Sequence, residues 1–256
     1  MQAKTRPIGV FDSGVGGISV LRELVKLMPE EHYLYFGDSA NAPYGDKTTQ
    51  QVRQLTLAVA EELVRRGVKA LVVACNTATS AAITLLREKY PDMVVIGIEP
   101  ALKVAADRFP QGRIGVMATS VTLREEKFQH QTERFPQAQI YAIPAPGLVE
   151  RIEAGLLRED ETRLFLEQLL LPYKGKLDAL VLGCTHYPFA AELIGEILGP
   201  ETVLLDGGAG TARQTKRCLE AANLLNDGPG SITVESSSPD GKLQALAEKL
   251  LAADVI

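Results

Sequence analysis

Two cysteines stand at equivalent places in an internal repeat, and this placement is the first sign of chemistry in the sequence. The segment ALVVACNT, which contains Cys75, recurs 109 residues later as ALVLGCTH, which contains Cys184. The segment IGV at residue 8 recurs 106 residues later, at residue 114. Similar offsets in the same order predict that the chain contains two similar halves.

A thiol at the same place in each half suits proton transfer from two sides of one ligand. Both cysteines follow a predicted strand, and ligands of open parallel sheets bind beyond the carboxyl ends of strands. Each also precedes a predicted helix, whose N-terminus stabilises a thiolate anion. One thiolate would take a proton from one face of a carbon while the opposite thiol returns a proton to the other face. This pattern predicts an enzyme that inverts a stereocentre.

Other interpretations of the cysteines remain open. Cys75 and Cys184 could be buried structural thiols, since free cysteine is often fully buried. Cys218 lies inside an amphipathic helical pattern and is predicted to be structural. A metal site of Cys75, Cys184 and His186 would lack a fourth ligand and a close ligand spacing, so no metal is expected.

A glycine-rich turn, DSGVGG at residues 12–17, follows the first predicted strand and opens a helix. It matches neither the dinucleotide nor the phosphate-loop pattern, so no nucleotide cofactor is favoured. The helix start could hold a substrate carboxylate. Asp12 could accept a hydrogen bond from a substrate ammonium or orient Cys75. Alternatively, Asp12 or Ser13 simply caps the helix.

Further polar groups lie near the same predicted edge. The loop GDSANAPYG at residues 37–45 is either a turn or a ligand-binding loop. Amide, hydroxyl and imidazole groups beside the cysteines come from Asn76, Thr77, Thr185 and His186. Thr77 or Thr79 could cap the helix after Cys75. Pro188 suits the first turn of the helix after Cys184.

Apolar runs that alternate with amphipathic stretches predict the elements that position these residues. The predicted strands are Pro7–Phe11, Tyr33–Gly37, Ala70–Ala74, Val94–Ile98, Arg113–Met117, Gln139–Ile143, Ala179–Gly183, Thr202–Leu205 and Ser231–Glu235. The predicted helices are Gly16–Leu27, Thr49–Arg66, Ser80–Lys89, Leu123–Gln131, Glu159–Leu171, Pro188–Leu198, Ala209–Ala222 and Gly241–Ala252. This alternation predicts an α/β fold with parallel sheets.

The repeat divides this α/β fold into two similar parallel-sheet domains related by a pseudo-two-fold axis, with the active site at their interface. The first domain is predicted to comprise residues 1–98 plus 209–256, and the second residues 99–208. The C-terminal segment is assigned to the first domain because it is too short for an independent α/β domain.

Composition excludes several classes of protein. The 256 residues carry 27 Lys and Arg against 32 Asp and Glu, a formal net charge of −5, which disfavours a nucleic-acid partner. No apolar run reaches the ~18 residues of a membrane span, so no membrane partner is expected. The N-terminal sequence has no signal-peptide pattern, which predicts a cytoplasmic protein. Three widely spaced cysteines do not indicate a disulfide framework.

Four segments together closely resemble glutamate racemases, enzymes that make D-glutamate for bacterial peptidoglycan without a cofactor. They are GVFDSGVGGISVL from Gly9, FGDSANAPYG from Phe36, ACNTAT from Ala74 and LGCTHYP from Leu182. Thr79 stands where that family commonly has serine. The resemblance implies two α/β domains with the site between them, glutamate as the substrate, no cofactor, and a homodimer.

The resemblance also implies roles for individual residues. Cys75 would act on the proton of the D-enantiomer with help from Asp12. Cys184 would act on the proton of the L-enantiomer with help from His186 and Glu153. The implied substrate contacts are Asp12, Ser13, Tyr44, Gly45, Asn76, Thr77, Thr185 and His186. The role of Glu153 is assigned from the less distinctive stretch LVERIEAG, which begins at Leu148.

Two other functions compete with this interpretation. One is an aspartate or other amino-acid racemase of the same superfamily, whose members share the paired cysteines. The other is a non-catalytic amino-acid-binding module, which would need no reactive thiols. A related decarboxylase is disfavoured because it would usually keep only one of the two cysteines.

Overall fold

The computed structural model describes residues 3–98, 101–124 and 126–252. Within these ranges the chain forms two compact units, one built from residues up to 98 and from 208 onward, the other from residues 101–207. Each unit contains one parallel sheet. The predicted fold class, two parallel-sheet α/β domains, is confirmed. The predicted cut between residues 98 and 99 touches residues 99–100, which lie outside the described ranges, so the domain boundaries stay a prediction.

Nine strands form in the described residues, each within one residue of its predicted bounds. They are β1 Ile8–Asp12, β2 His32–Gly37, β3 Ala70–Val73, β4 Val94–Gly97, β5 Arg113–Ala118, β6 Gln139–Pro144, β7 Ala179–Leu182, β8 Val203–Asp206 and β9 Ser231–Ser236. The helices are α1 Ile18–Leu27, α2 Thr49–Arg65, α3 Asn76–Lys89, α4 Leu102–Arg108, α5 Ser120–Arg124, α6 Glu126–Glu133, α7 Leu148–Glu153, α8 Asp160–Leu170, α9 Ala191–Leu198, α10 Gly208–Ala221 and α11 Lys242–Ala252.

The sheet of the first unit has the order β4-β3-β1-β2-β9, with every neighbouring pair parallel. All five residues of the central strand β1 are buried. Side chains alternate between the faces of a strand. Phe11, Leu71 and Val73 share one core with residues of α2 and α3. Both faces of a central parallel strand need apolar cover, which explains the continuous apolar run in the sequence.

The C-terminal segment packs with the first unit. Strand β9 pairs in parallel with β2, and α10 packs against α1 and β4. A buried ion pair holds this segment: Lys69 Nζ lies 2.5 Å from Glu31 Oε2 and also donates to the carbonyl of Leu224 at 2.9 Å. The other oxygen of Glu31 accepts the N–H of Asn226 at 2.9 Å. Both charged side chains are 1% exposed, so the pair is sealed from water.

The sheet of the second unit has the order β6-β5-β7-β8, again parallel throughout. Met117, Leu180 and Leu182 join a core on one face with residues of α7, α8 and α9. Ile114, Val116, Ala179 and Val181 join a second core on the other face, with residues of α4 and α6. The two-residue alternation therefore supplies both cores from the same two central strands.

Several helices differ from the prediction. Helices α4 and α7 were not predicted. Helix α3 begins at Asn76 rather than Ser80, and α9 begins at Ala191 after a 3₁₀ turn at Tyr187–Ala190. The predicted helix Leu123–Gln131 covers residue 125, which lies outside the described residues; α5 and α6 flank it. None of the described helices is long and apolar enough to cross a bilayer.

The buried ion pair gives a stability prediction. Lys69→Met leaves the Glu31 carboxylate buried without its cation, so we expect the free energy of unfolding to fall by about 3–5 kcal/mol in urea titrations. The double variant Lys69→Met/Glu31→Met removes both charges and should recover part of the loss.

The matched control is Lys89→Met, which removes the lysine of a surface pair with Glu61 at 3.1 Å. Exposed pairs contribute little, so this variant should unfold at the wild-type urea concentration. Equal effects of Lys69→Met and Lys89→Met would contradict the account of the buried pair.

Candidate active site

The turn after β1 is fixed by backbone hydrogen bonds and by close packing at one glycine. Asp12 is fully buried, and its Oδ1 accepts the N–H of Gly14 at 2.8 Å. The hydroxyl of Tyr35 donates to the carbonyl of Gly14 at 2.8 Å. A Cβ on Gly17 would lie 2.7 Å from the Cβ of Asp12, so only glycine lets α1 start so near this carboxylate.

The alternative that Asp12 or Ser13 caps α1 is wrong. The N-cap is Gly17, and it makes no side-chain capping bond. The Asp12 carboxylate instead bonds within the turn, at Gly14.

Cys75 is itself the N-cap of α3. Its sulfur accepts the N–H of Ala78 at 3.4 Å and lies 3.6 Å from the hydroxyl oxygen of Ser13. Backbone N–H groups at a helix start favour negative charge on a capping atom. The expectation that Thr77 or Thr79 caps this helix is therefore wrong, because α3 starts earlier; the Thr79 hydroxyl donates to the carbonyl of Val73 at 3.0 Å.

The neighbours of Cys75 in the chain are buried polar residues. Asn76 and Thr77 are 4% and 3% exposed. The side-chain oxygen of Asn76 is buried and has no hydrogen-bond partner among the described residues. Buried polar atoms are nearly always paired, so this oxygen is a candidate acceptor for a ligand donor such as an ammonium group.

Tyr44 lies close to this thiol, but its hydroxyl is already used. Tyr44 is 1% exposed and donates to Asp38 Oδ2 at 2.7 Å. Burial raises the pKa of Tyr44 strongly, helped by the bond to Asp38 and by the nearby charges of Asp38, Cys75 and Asp12. Gly45, next in the chain, is half-buried. The proton of the Tyr44 hydroxyl is therefore already used in a bond within the loop.

In the second unit a chain of three side chains is assembled around Cys184. The sulfur lies 3.8 Å from Nδ1 of His186, and Nε2 of His186 lies 2.8 Å from Oε1 of Glu153. Cys184 and His186 are buried, whereas the side chain of Glu153 is 32% exposed. A thiol, an imidazole and a partly solvated carboxylate in series form a path for moving a proton between a buried site and water. Thr185, between the cysteine and the histidine in sequence, is also buried.

The two thiols differ in their local structure. Cys184 does not cap an α-helix, because a 3₁₀ turn with Pro188 near its start separates it from α9. Cys218, predicted to be structural, is half-buried in α10 and accepts from Gln214 Nε2 at 3.2 Å. Among the described residues, no group of three or more His, Cys, Asp or Glu side chains is arranged to hold a metal ion.

Sequence reasoning missed Thr119. In the first unit, Ile8 pairs with Ala70, so the same register places Ser13 beside Cys75. In the second unit, Ile114 pairs with Ala179, and extending this register past the strand ends aligns Thr119 with Cys184 in the same way. Thr119 Oγ1 lies 3.0 Å from the hydroxyl oxygen of Thr122 and accepts that residue's N–H at 3.3 Å.

The signal was present in the repeat. The segment IGV recurs at an offset of 106 residues, and the same offset maps Ser13 onto Thr119. Asp38 was also missed as an individual residue, although it lies in the loop that was singled out.

Comparison with known proteins identifies the family. A family model described as Asp/Glu/Hydantoin racemase matches residues 8–215. The chain belongs to this family. It is similar to the glutamate racemase of Clostridium botulinum (strain Alaska E43 / Type E3), with 48% identity over 255 residues, 98% of this chain and 99% of the relative.

Two solved structures are similar over nearly the whole chain. Glutamate racemase from Thermus thermophilus in complex with beta-chloro-D-alanine has a TM-score of 0.85 and 40% identity, covering 99% of this chain and 95% of that one. Glutamate racemase from Francisella tularensis in complex with D-glutamate has a TM-score of 0.86 and 29% identity, covering 98% and 95%.

The buried tyrosines give a prediction on pH dependence. Burial raises the pKa of Tyr33, Tyr44 and Tyr187 above the ordinary value of 10.0. In a spectrophotometric titration, we expect the folded protein at about pH 11 to show about three fewer ionised tyrosines than the unfolded chain, out of seven in all. The prediction would be contradicted if all seven tyrosines of the folded protein ionised at the same pH as those of the unfolded chain.

The same shift has a consequence for stability. As the pH rises, the tyrosine hydroxyls lose their protons in the unfolded chain before they do so in the folded protein. The contribution of these tyrosines to the free energy of unfolding is therefore fully present below about pH 10 and is lost as the pH rises through the folded pKa values. Urea midpoints between about pH 8 and about pH 11 should therefore fall at the alkaline end.

Proposed function

We propose that the chain is a glutamate racemase that interconverts L- and D-glutamate by proton transfer at the alpha carbon, with two cysteines and no cofactor. One observation carries the proposal. Each unit holds a buried thiol beyond the carboxyl end of an equivalent central strand, Cys75 after β3 and Cys184 after β7. A two-base inversion at carbon uses one proton-transfer group on each face, and a matched pair of thiols supplies two such groups.

The two thiols have different partners and take different roles. In this proposal Cys184 removes the alpha proton of L-glutamate, and Cys75 removes that of D-glutamate. His186 and Glu153 assist Cys184, which agrees with the 3.8 and 2.8 Å contacts along that series. Asp12 assists Cys75 from the buried turn after β1. The hydroxyl of Ser13, 3.6 Å from the sulfur, and the N–H of Ala78 hold the Cys75 side chain in place.

The substrate carries two carboxylates and one ammonium group. The acceptors offered to the ammonium are the Asn76 side-chain oxygen and the Asp12 carboxylate. Candidate donors to the carboxylates are the hydroxyls of Ser13, Thr77 and Thr185. His186 and the backbone at Tyr44 and Gly45 complete the proposed contacts. An acidic protein thereby binds an acidic substrate through local donors rather than through its net charge.

Glutamate is favoured over aspartate by the relatives. The Clostridium botulinum protein, 48% identical, is named a glutamate racemase, and the Francisella tularensis structure is described as a complex with D-glutamate. The non-catalytic binding module is disfavoured by the series from Cys184 to Glu153, which binding alone does not require.

The wider setting follows from the same proposal. The D-glutamate would supply peptidoglycan synthesis, and the enzyme would work as a homodimer in the cytoplasm with glutamate as its ligand and no nucleic-acid or membrane partner. Three free cysteines are compatible with a reducing compartment.

The direct test is racemisation of glutamate by the purified chain without pyridoxal phosphate. We expect conversion of either enantiomer, and much slower conversion of aspartate assayed in parallel. Cys75→Ser and Cys184→Ser should each lower kcat in both directions by at least about a thousandfold, because a serine hydroxyl is far less acidic than a thiol. Polarimetry follows the reaction.

Cys218→Ser is the matched control and should keep the wild-type rate, since Cys218 contacts only Gln214 among the bonds described above. Full activity in Cys75→Ser or in Cys184→Ser would contradict the two-thiol mechanism. Faster conversion of aspartate than of glutamate would favour the competing racemase.

The role of Glu153 has its own test. Glu153→Gln keeps a side-chain oxygen near His186 but removes the charge, so we expect kcat to fall by about ten- to a hundredfold. Glu150→Gln, on the exposed part of the same helix, should stay close to the wild-type kcat. The measurement is kcat for L-glutamate and for D-glutamate in both variants. Identical kinetics for Glu153→Gln and Glu150→Gln would exclude a proton-transfer role for Glu153.

A further inference from the structure

A buried carboxylate near Cys75 has no role in the mechanism above. Asp38 is 2% exposed and follows β2. Its backbone N–H donates to the carbonyl of Asp12 at 2.9 Å, which ties it to the end of β1. The side chain therefore starts from a fixed backbone, one residue beyond the paired strands β1 and β2.

The carboxylate of Asp38 accepts three hydrogen bonds from its own loop. Tyr44 donates its hydroxyl to Oδ2 at 2.7 Å. The amide nitrogen of Asn41 lies 3.0 Å from Oδ1 and 3.2 Å from Oδ2. The backbone N–H of Asn41 also donates to the carbonyl of Asp38 at 3.0 Å. One side chain thus fixes both ends of the segment from residue 41 to residue 44.

In these hydrogen bonds, both carboxylate oxygens of Asp38 act as acceptors. An ionised carboxylate only accepts hydrogen bonds, whereas an asparagine at residue 38 would turn one of the two positions into a donor. That donor would either oppose the amide of Asn41 or make the hydroxyl of Tyr44 accept where it now donates. The ring of Tyr44 also packs against Phe11 of β1, at 6.2 Å between centroids, so Tyr44 is held at both its ring and its hydroxyl.

We propose that Asp38 is a positioning residue that holds Asn41 and Tyr44 so that the backbone at Tyr44 and Gly45 meets the substrate. This inference rests on the proposed function, because it concerns the same site. Asp38 acts through the loop and does not touch the reacting atoms. Its loss should weaken binding of both enantiomers equally and leave proton transfer largely intact.

The test compares three variants: Asp38→Asn, Tyr44→Phe and their combination. Each single variant should raise KM for L- and D-glutamate by about tenfold, with kcat within about threefold of wild type. The combined variant should raise KM by less than the product of the two single effects, because both changes act on the contact between residue 38 and residue 44. Equal rises in both directions distinguish positioning from acid/base chemistry, which would alter kcat.

Tyr33→Phe is the matched control. Tyr33 is a buried tyrosine of the same sheet whose hydroxyl donates to the carbonyls of Leu24 and Met28 at 2.9 and 2.8 Å. It should lower stability without changing KM. Thermal unfolding of every variant identifies any general loss of fold.

Three results would overturn the inference: an unchanged KM in folded Asp38→Asn, a fall in kcat alone, or additive effects in the combined variant. If the wild type does not racemise glutamate, the proposed function fails. The affinity for D-glutamate, measured by calorimetry on the same variants, then decides the role of Asp38; a wild type that binds no D-glutamate overturns both.

Discussion

The parallel register between the two central strands of each sheet is the constraint on which the candidate site depends. Pairing Ile8 with Ala70 brings the turn after β1 beside the loop after β3, and pairing Ile114 with Ala179 does the same for β5 and β7. A shift of one residue would turn the side chains of a strand to the other face and disrupt both apolar cores. The cores therefore fix the register, and the register sets Ser13 beside Cys75.

The same scaffold presents its two thiols in different ways. Cys75 caps α3 and meets the backbone N–H of Ala78 and the hydroxyl of Ser13. Cys184 meets an imidazole backed by a partly exposed carboxylate, and both of these can carry protons. A racemase works in both directions, so each thiol must be able to give and to take a proton. In the proposed mechanism, two different local structures meet that one requirement.

The nine strands of the described residues, and the places of Cys75 and Cys184 after two of them, could be predicted because both depend on local patterns. Buried parallel strands are short apolar runs, and the repeat marks Cys75 and Cys184 without any knowledge of the fold. The helix starts were less predictable. Whether Cys75 or Thr77 caps α3 depends on backbone angles that composition does not reveal. The 3₁₀ turn before α9 likewise has no distinct signature.

Local sequence patterns do not predict contacts between residues that lie far apart in the chain. Glu153 approaches His186 because α7 packs on the sheet that carries β7, and the stretch that forms α7 is unremarkable as a sequence. Only the resemblance pointed to Glu153. Asp38 was visible as part of a polar loop, but its three bonds to Asn41 and Tyr44 appear only when the loop is folded.

The central claim is that the two thiols act on opposite faces of one alpha carbon, and hydrogen isotope exchange tests it most directly. L-glutamate is incubated with the enzyme in D2O, and both enantiomers are isolated at low conversion for mass analysis. The account predicts deuterium at the alpha carbon of the D-glutamate formed and protium in the remaining L-glutamate, because one thiol removes the proton and the other delivers deuterium. Equal deuterium in both enantiomers from the earliest samples, or protium retained in the product, would contradict it.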